Sequence, residues 1–197
     1  MKRLAFLVSG SGTNMAHLIR KIQAGDVSAE AAIVISNKPE AKALERAKEL
    51  GVLTLVVSHK DHATREAFDA ALARCLELHK IDLIVLAGFM RVLTEGFVKR
   101  YWGRILNIHP ALLPAFPGAH AIKEAWDAKV QETGVTVHFV DCGVDTGKII
   151  LQRKVPVLPQ DTLETLEVRV HGVEYEVYPE ALKQVLSGKV TAPPLKG

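Results

Sequence analysis

Asn107 and His109 flank Ile108 at the end of Arg104-Ile105-Leu106, a run that reads as a short buried strand. Side chains alternate across a strand, so the carboxamide and the imidazole leave it on the same side. Pro110, Pro114, Pro117 and Gly118 follow and exclude helix or central strand, fixing a stiff, irregular segment just past the pair. A carboxamide beside an imidazole on such a mount can bind, and protonate, an oxygen that gains negative charge during a reaction.

A carboxylate near the imidazole would orient the ring and raise its pKa above the ordinary value of about 6.5. Asp145 is the candidate, because it lies in the loop between two expected antiparallel strands and must emerge at an edge of the sheet. No serine, cysteine or lysine shares a comparable setting as a nucleophile, and Cys142 reads as a small loop residue with no clear activator. The constellation therefore favours a reaction whose nucleophile belongs to the substrate, such as acyl or formyl transfer to an amine. His17, His59, His62 and His79 read as solvated residues on helices or their flanks, and His138 as a satisfied core histidine. His120, just past Gly118, reads equally as a lining residue or a bland one. No His/Cys/Asp/Glu cluster has metal-ligand spacing, so no metal is expected.

Ser9-Gly10-Ser11-Gly12-Thr13-Asn14 joins the first expected strand to the first helix. Glycines let backbone approach a ligand, and free amides at a helix N-terminus attract phosphate; the plainer reading is a tight turn with a Ser or Thr cap. NAD does not fit: the third glycine of the dinucleotide fingerprint falls at Met15, and the second strand ends in Ser36-Asn37-Lys38 without a ribose-binding carboxylate. A single phosphate, as on a ribose 5-phosphate, fits better. Gly143-Val144-Asp145-Thr146-Gly147-Lys148 imitates a phosphate loop but is one residue short, is followed by Ile149 and precedes a strand. Leu86 to Leu93 leaves an expected strand as an apolar run with one arginine. It reads either as core continuing into a helix or as the wall of a pocket for a flat aromatic ligand.

The elements that position these residues follow from periodicity. Largely apolar runs at 3–8, 32–35, 53–57 and 81–87 read as buried strands. Between them, Met15/Leu18/Ile19/Ile22, Leu44/Ala47/Leu50 and Phe68/Leu72/Cys75/Leu76 mark helical faces, the first two closed by Gly25 and Gly51. This alternation predicts an α/β fold whose N-terminal half is Rossmann-like, with a parallel sheet. The runs 135–140 and 148–155 are separated by a loop of about seven residues, too short for a parallel crossover, so the C-terminal half adds antiparallel strands to one mixed central sheet. Leu163, Leu166, Val170, Val173 and Val177 predict a last helix from Asp161 that Pro179 kinks or divides. The tail 191–197, with two prolines, reads as loose.

Composition narrows the partners. A chain of 197 residues, 48% hydrophobic and 24% charged, suits one α/β domain. A net charge of +3 without any dense basic run excludes a nucleic-acid face but admits a small anionic substrate. No stretch approaches the roughly 18 apolar residues of a membrane span, and residues 1–8 break into the glycine loop rather than a cleavage site. Two unmatched cysteines, Cys75 and Cys142, predict no disulfide frame and a reducing cytoplasm.

With these residues assembled, the chain resembles the folate-dependent formyltransferases that act on glycinamide ribonucleotide (GAR). The resemblance rests on Ser9 to Asn14, Leu86 to Arg91, Leu106 to Gly118, Val135 to Val140 and Asp145-Thr146-Gly147, and covers nearly the whole length. It implies one formyltransferase domain over 1–197, with residues 1–100 binding the phosphate substrate and 101–197 supplying catalysis and folate binding. It further implies that Gly12, Thr13 and Asn14 hold the GAR phosphate and Glu174 the ribose. Met90, Arg91, Val92, Leu93, Asn107, Val140 and Asp141, with Arg65, would contact the co-substrate 10-formyltetrahydrofolate, and Asn107, His109 and Asp145 would catalyse. Partners would be small molecules only, with no nucleic acid or membrane, for a monomer or homodimer. The chain departs from the family pattern at three places: Cys142-Gly143-Val144 is less acidic than usual, Lys148 replaces a frequent proline, and His171 stands where glutamine is familiar. Methionyl-tRNA formyltransferase carries an appended basic domain and formyltetrahydrofolate hydrolase an N-terminal regulatory one, for which this length leaves no room. A silent nucleotide- or folate-binding module would not be expected to keep all three polar candidates.

Overall fold

A computed structural model describes residues 1–195. Seven strands form one sheet in the order β3-β2-β1-β4-β5-β6-β7. β1 (Lys2–Val8), β2 (Ala29–Ser36), β3 (Thr54–Val56), β4 (Leu83–Leu86) and β5 (Ile105–His109) are parallel. β6 (Glu132–Phe139) and β7 (Ile149–Pro156) extend the sheet antiparallel, as the short connection between them requires.

Alternation along β1 divides the core. Leu4, Phe6 and Val8 meet α1 (Thr13–Gln23), α2 (Lys42–Glu49), α5 (Ala121–Asp127) and α6 (Leu163–Leu186), whereas Ala5 and Leu7 meet α3 (Arg65–Leu78) and α4 (Glu95–Arg100). Helices thus cover both faces, which is why the parallel strands are largely apolar without a strict alternation.

Several expectations need correction. Pro179 does not divide the last helix, since α6 runs through it to Leu186. The missing N–H frees the Tyr175 carbonyl, and His17 of α1 packs there, its ring stacked on Tyr175 at 5.0 Å. His17 is therefore a packing residue rather than a solvated one, and its imidazole titrates below the ordinary value because of burial and then the Lys21 charge. His62 and His79 are half-buried and bonded to the backbone oxygens of Ser58 and Cys75. The segment 191–195 is pinned, with Trp102 Nε1 donating to the Pro193 carbonyl at 2.8 Å and Lys148 Nζ to that of Thr191 at 2.8 Å. Residues 196 and 197 of the expected loose tail lie outside the described residues. Among the described residues both thiols are free and no helix is long and apolar enough to cross a membrane.

Tyr178 ties the long helix to the sheet where it matters. Fully buried, its hydroxyl donates to the Leu86 carbonyl at 2.7 Å, with that of Leu106 at 3.3 Å. The Leu86 carbonyl ends β4 and that of Leu106 lies beside it in β5, and open α/β sheets place ligands at the C-terminal edge that β4 reaches here.

Candidate active site at the C-terminal edge of the sheet

Asn107 and His109 leave β5 side by side, as the two-residue period demands. β6 is registered so that Asn107 faces His138 directly, and opposed residues of an antiparallel pair point to the same side. The loop after β6 then carries Asp145 back over both. Gly147 makes that return possible, because a Cβ there would lie 1.7 Å from the Phe139 carbonyl oxygen. Thr146 and the Gly143 amide both donate to Asp141 Oδ1, at 2.6 and 3.0 Å, which holds the loop in shape.

The three expected polar groups therefore converge, and a fourth joins them. Asp145 Oδ2 accepts from the Gly118 amide at 2.9 Å and lies 3.4 Å from His109 Nδ1. Its Oδ1 lies 3.4 Å from Asn107 Nδ2 and 3.5 Å from His138 Nε2. Burial pushes the Asp145 carboxyl up, but hydrogen bonds from His138 and Gly118 and the charge of His109 outweigh it and hold the group below the usual carboxylate range. His109 Nε2 faces the Phe116 carbonyl at 2.7 Å, so both ring nitrogens look at acceptors and only the imidazolium satisfies both.

A cavity of about 410 Å³ opens onto this cluster, within the size range of small-molecule sites. One wall is the segment 88–93, which does not continue as helix; the other is Val140 to Asp145. Met90 and Val92 stand exposed at the wall, apolar surface available to a ligand. The wall is braced from behind. Ser9 Oγ accepts the Met90 amide at 2.8 Å and donates to Asn37 Oδ1 at 2.6 Å, both residues being buried. Buried Asp69 accepts the Thr94 amide at 2.7 Å, Arg65 donates to the Val92 carbonyl at 2.8 Å, and the Arg91 guanidinium lies 5.0 Å over the Phe68 ring.

Next along the same edge, the glycine loop opens α1. Gly12 adopts φ +71 at the helix N-cap, where a Cβ would meet Ala43 at 2.4 Å, and no side chain caps the first amides. The Ser or Thr cap of the plainer reading is absent, and the first amides are free for an anion. Asn14 Nδ2 donates to Glu174 Oε2 at 2.8 Å, which also lies 2.8 Å from His171 Nδ1. Glu174 is buried, and its hydrogen bond raises the His171 imidazole above the ordinary value despite partial burial. The two corners adjoin, since β1 pairs β4 and the Ser9 amide donates to the Gly88 carbonyl at 3.1 Å.

The formyl transferase family matches residues 2–182 of this chain. The chain is also 41% identical to the phosphoribosylglycinamide formyltransferase of Bacillus subtilis, over 94% of this chain and 95% of that protein. The chain belongs to the formyl transferase family. A solved phosphoribosylglycinamide formyltransferase from Bacillus halodurans superposes on this formyltransferase with a TM-score of 0.92 at 44% identity, covering 96% of this chain and 97% of the other. The trifunctional purine biosynthetic protein adenosine-3 of Drosophila melanogaster is 48% identical over 98% of this chain, which spans 14% of that longer protein.

Sequence reasoning placed His138 in the core, and buried it is, but its Nε2 faces the cluster. Only the cross-strand register reveals this, and register depends on which β6 residue sits opposite Asn107. His120 does not line the cavity; it is exposed at the N-terminus of α5. Arg65 reaches the wall's backbone rather than the cavity lining. Sequence reasoning read Ser9 only as the start of the glycine loop and singled out no role for Asp69, whereas both brace the pocket wall. Among the described residues no cluster of His, Cys, Asp and Glu is placed to hold a metal.

Proposed function

We propose that this formyltransferase moves a formyl group from 10-formyltetrahydrofolate to the amine of GAR, giving formyl-GAR and tetrahydrofolate in purine biosynthesis. One observation carries the reading: Asn107, His109 and Asp145 meet at the mouth of an apolar cavity that adjoins an uncapped helix N-terminus. On this reading the whole chain works as one cytoplasmic formyltransferase domain with small-molecule partners, and Met90, Arg91, Val92, Leu93, Val140 and Asp141 flank the pterin. Gly12, Thr13 and Asn14 offer the phosphate site, and Glu174 takes the ribose hydroxyls while Asn14 steadies it.

The chemistry follows from the groups present. The GAR amine attacks the formyl carbon, and the formyl oxygen becomes an oxyanion. Asn107 donates to it and the His109 imidazolium neutralises it, with the Phe116 bond to Nε2 shared or exchanged as the oxygen arrives. Asp145 holds the His109 ring in place. The proton lost by the amine goes to the departing folate nitrogen, and the carbon–nitrogen bond to folate breaks as the carbonyl re-forms. One such oxyanion donor is worth roughly 3–4 kcal/mol in a dry site.

Mixing the protein with 10-formyltetrahydrofolate, with and without GAR, tests the proposal. Formyl loss that requires GAR supports it, and formyl loss without GAR indicates a hydrolase. No loss in either mixture indicates a binding module.

A further inference from the structure

Thr136 of β6 lies directly opposite His109 of β5, and Gln152 of β7 lies directly opposite Thr136. Opposed residues of antiparallel pairs point to the same side, so His109, Thr136 and Gln152 form one row across the sheet. The chain leaving β5 folds back along that row. Phe116 brings its carbonyl to His109 Nε2 at 2.7 Å, and Gly118 brings its amide to Asp145 Oδ2 at 2.9 Å.

The other end of the row fixes this segment. The Thr136 hydroxyl donates to the Ala111 carbonyl at 2.6 Å, so its oxygen accepts from the Leu113 amide at 3.2 Å and from Gln152 Nε2 at 2.9 Å. The second N–H of the Gln152 amide goes to the Leu113 carbonyl at 2.8 Å. Leu113 is thus held by both of its backbone groups. Thr136, Ala111 and Leu113 are buried, so water does not replace these bonds when they are lost. Beyond Leu113, packing gives little help. Pro114, Ala115 and Pro117 are exposed, and Phe116 takes φ +52, a left-handed backbone that a residue with a Cβ holds only when its surroundings impose it.

We infer that Gln152, two strands away from the imidazole, is a positioning residue for formyl transfer: it clamps Leu113 so that the Phe116 carbonyl and the Gly118 amide stay on His109 and Asp145. A misplacement of about 1 Å at a reacting group costs on the order of 100-fold in rate. The inference rests on the formyl-transfer reading, and the two fail differently. A parent chain that transfers no formyl group defeats the reading; a wrong ranking among variants of an active parent defeats the inference.

Two substitutions separate clamping from filling space. Gln152→Glu keeps the shape of the side chain but loses both N–H donors, and its carboxylate faces the Leu113 carbonyl. Gln152→Lys changes the shape but keeps donors, since an ammonium can serve the Leu113 carbonyl and the Thr136 oxygen together. The expected result is that kcat falls about 10–100-fold in Gln152→Glu and stays within about fivefold of the parent in Gln152→Lys, with KM for both substrates within about threefold in each. The reverse ranking, which packing alone would give, overturns the inference, as do equal retention, equal loss, or a loss carried by KM. A Gln152→Glu chain that fails to fold overturns it too, because the residue then serves the fold rather than the site. NMR of the Gly118 amide gives a second readout that needs no turnover. Its proton should leave the parent position in Gln152→Glu and keep it in Gln152→Lys; an unmoved proton in Gln152→Glu overturns the inference.

Discussion

On the proposed reading Asp145 is the residue on which the chemistry turns, because its one carboxylate faces every other member of the cluster. Its Oδ2 faces His109 and Gly118 while its Oδ1 faces Asn107 and His138. Its folded pKa is depressed, so the group stabilises the fold above the unfolded carboxyl's value of about 3.9, and that contribution is lost as pH falls through the lower folded value. A carbon-13 titration of the Asp145 carboxyl should show a midpoint below about 3.9; one above about 5 would contradict the balance of forces described here. On the same reading Asn14 would act on binding instead. Asn14→Ala should raise KM for GAR severalfold with a smaller fall in kcat, and an unchanged KM would remove the phosphate corner from the account. At this scale the trio was legible in residue types and spacing. His138 was not, since its neighbours Val137 and Phe139 made it look like any buried strand residue.

The elements serve as mounts, and the pocket wall is the clearest case. Residues 88–93 have no ladder of their own, so Ser9 and Asp69 hold the backbone amides of Met90 and Thr94. Ser9→Ala removes the Met90 acceptor, and a hydrogen bond of about 1 kcal/mol corresponds to roughly a fivefold change. KM for the formyl donor should rise by that order while KM for GAR stays put; a change confined to GAR would show that Ser9 braces the wrong corner. On the far side, Asp161 grips Arg169 through both carboxylate oxygens, at 2.6 Å each, and closes the turn into α6. That pairing depresses the Asp161 pKa, so its stabilisation is present above the unfolded carboxyl range and fades as pH falls through the folded value. Asp161→Asn should lower Tm at pH 7, with the difference from the parent shrinking toward pH 2; a constant difference would mean that charge plays no part. Strands and long helices were legible because apolar period and length agree. α4 and α5 were not, since six and seven residues give too few turns to show a 3.6-residue period. Pro179 misled because the rule against helical proline considers only the helix's own bonds, and His17 packs where the freed carbonyl lies.

For the whole molecule, one mixed sheet collects every proposed group along a single edge. β1 leads to the phosphate corner, β4 to the pocket wall, β5 to Asn107 and His109, and the β6–β7 turn to Asp145. Alternating strand and helix signals gave away the parallel half, and the short 140–148 connection gave away the antiparallel one. What they could not give was the order of strands across the sheet, which decides that β4, β5 and β6 are neighbours. Convergence of three groups on one formyl carbonyl is the central claim, and binding measured beside chemistry tests it most directly. Equilibrium GAR binding and single-turnover formyl transfer should be compared in Asn107→Ala, His109→Ala and Asp145→Ala. GAR affinity should stay within about twofold of the parent while transfer falls at least about 100-fold in each variant. Parent-like transfer in any one of the three, or a loss of GAR affinity that accounts for the loss of rate, would contradict it.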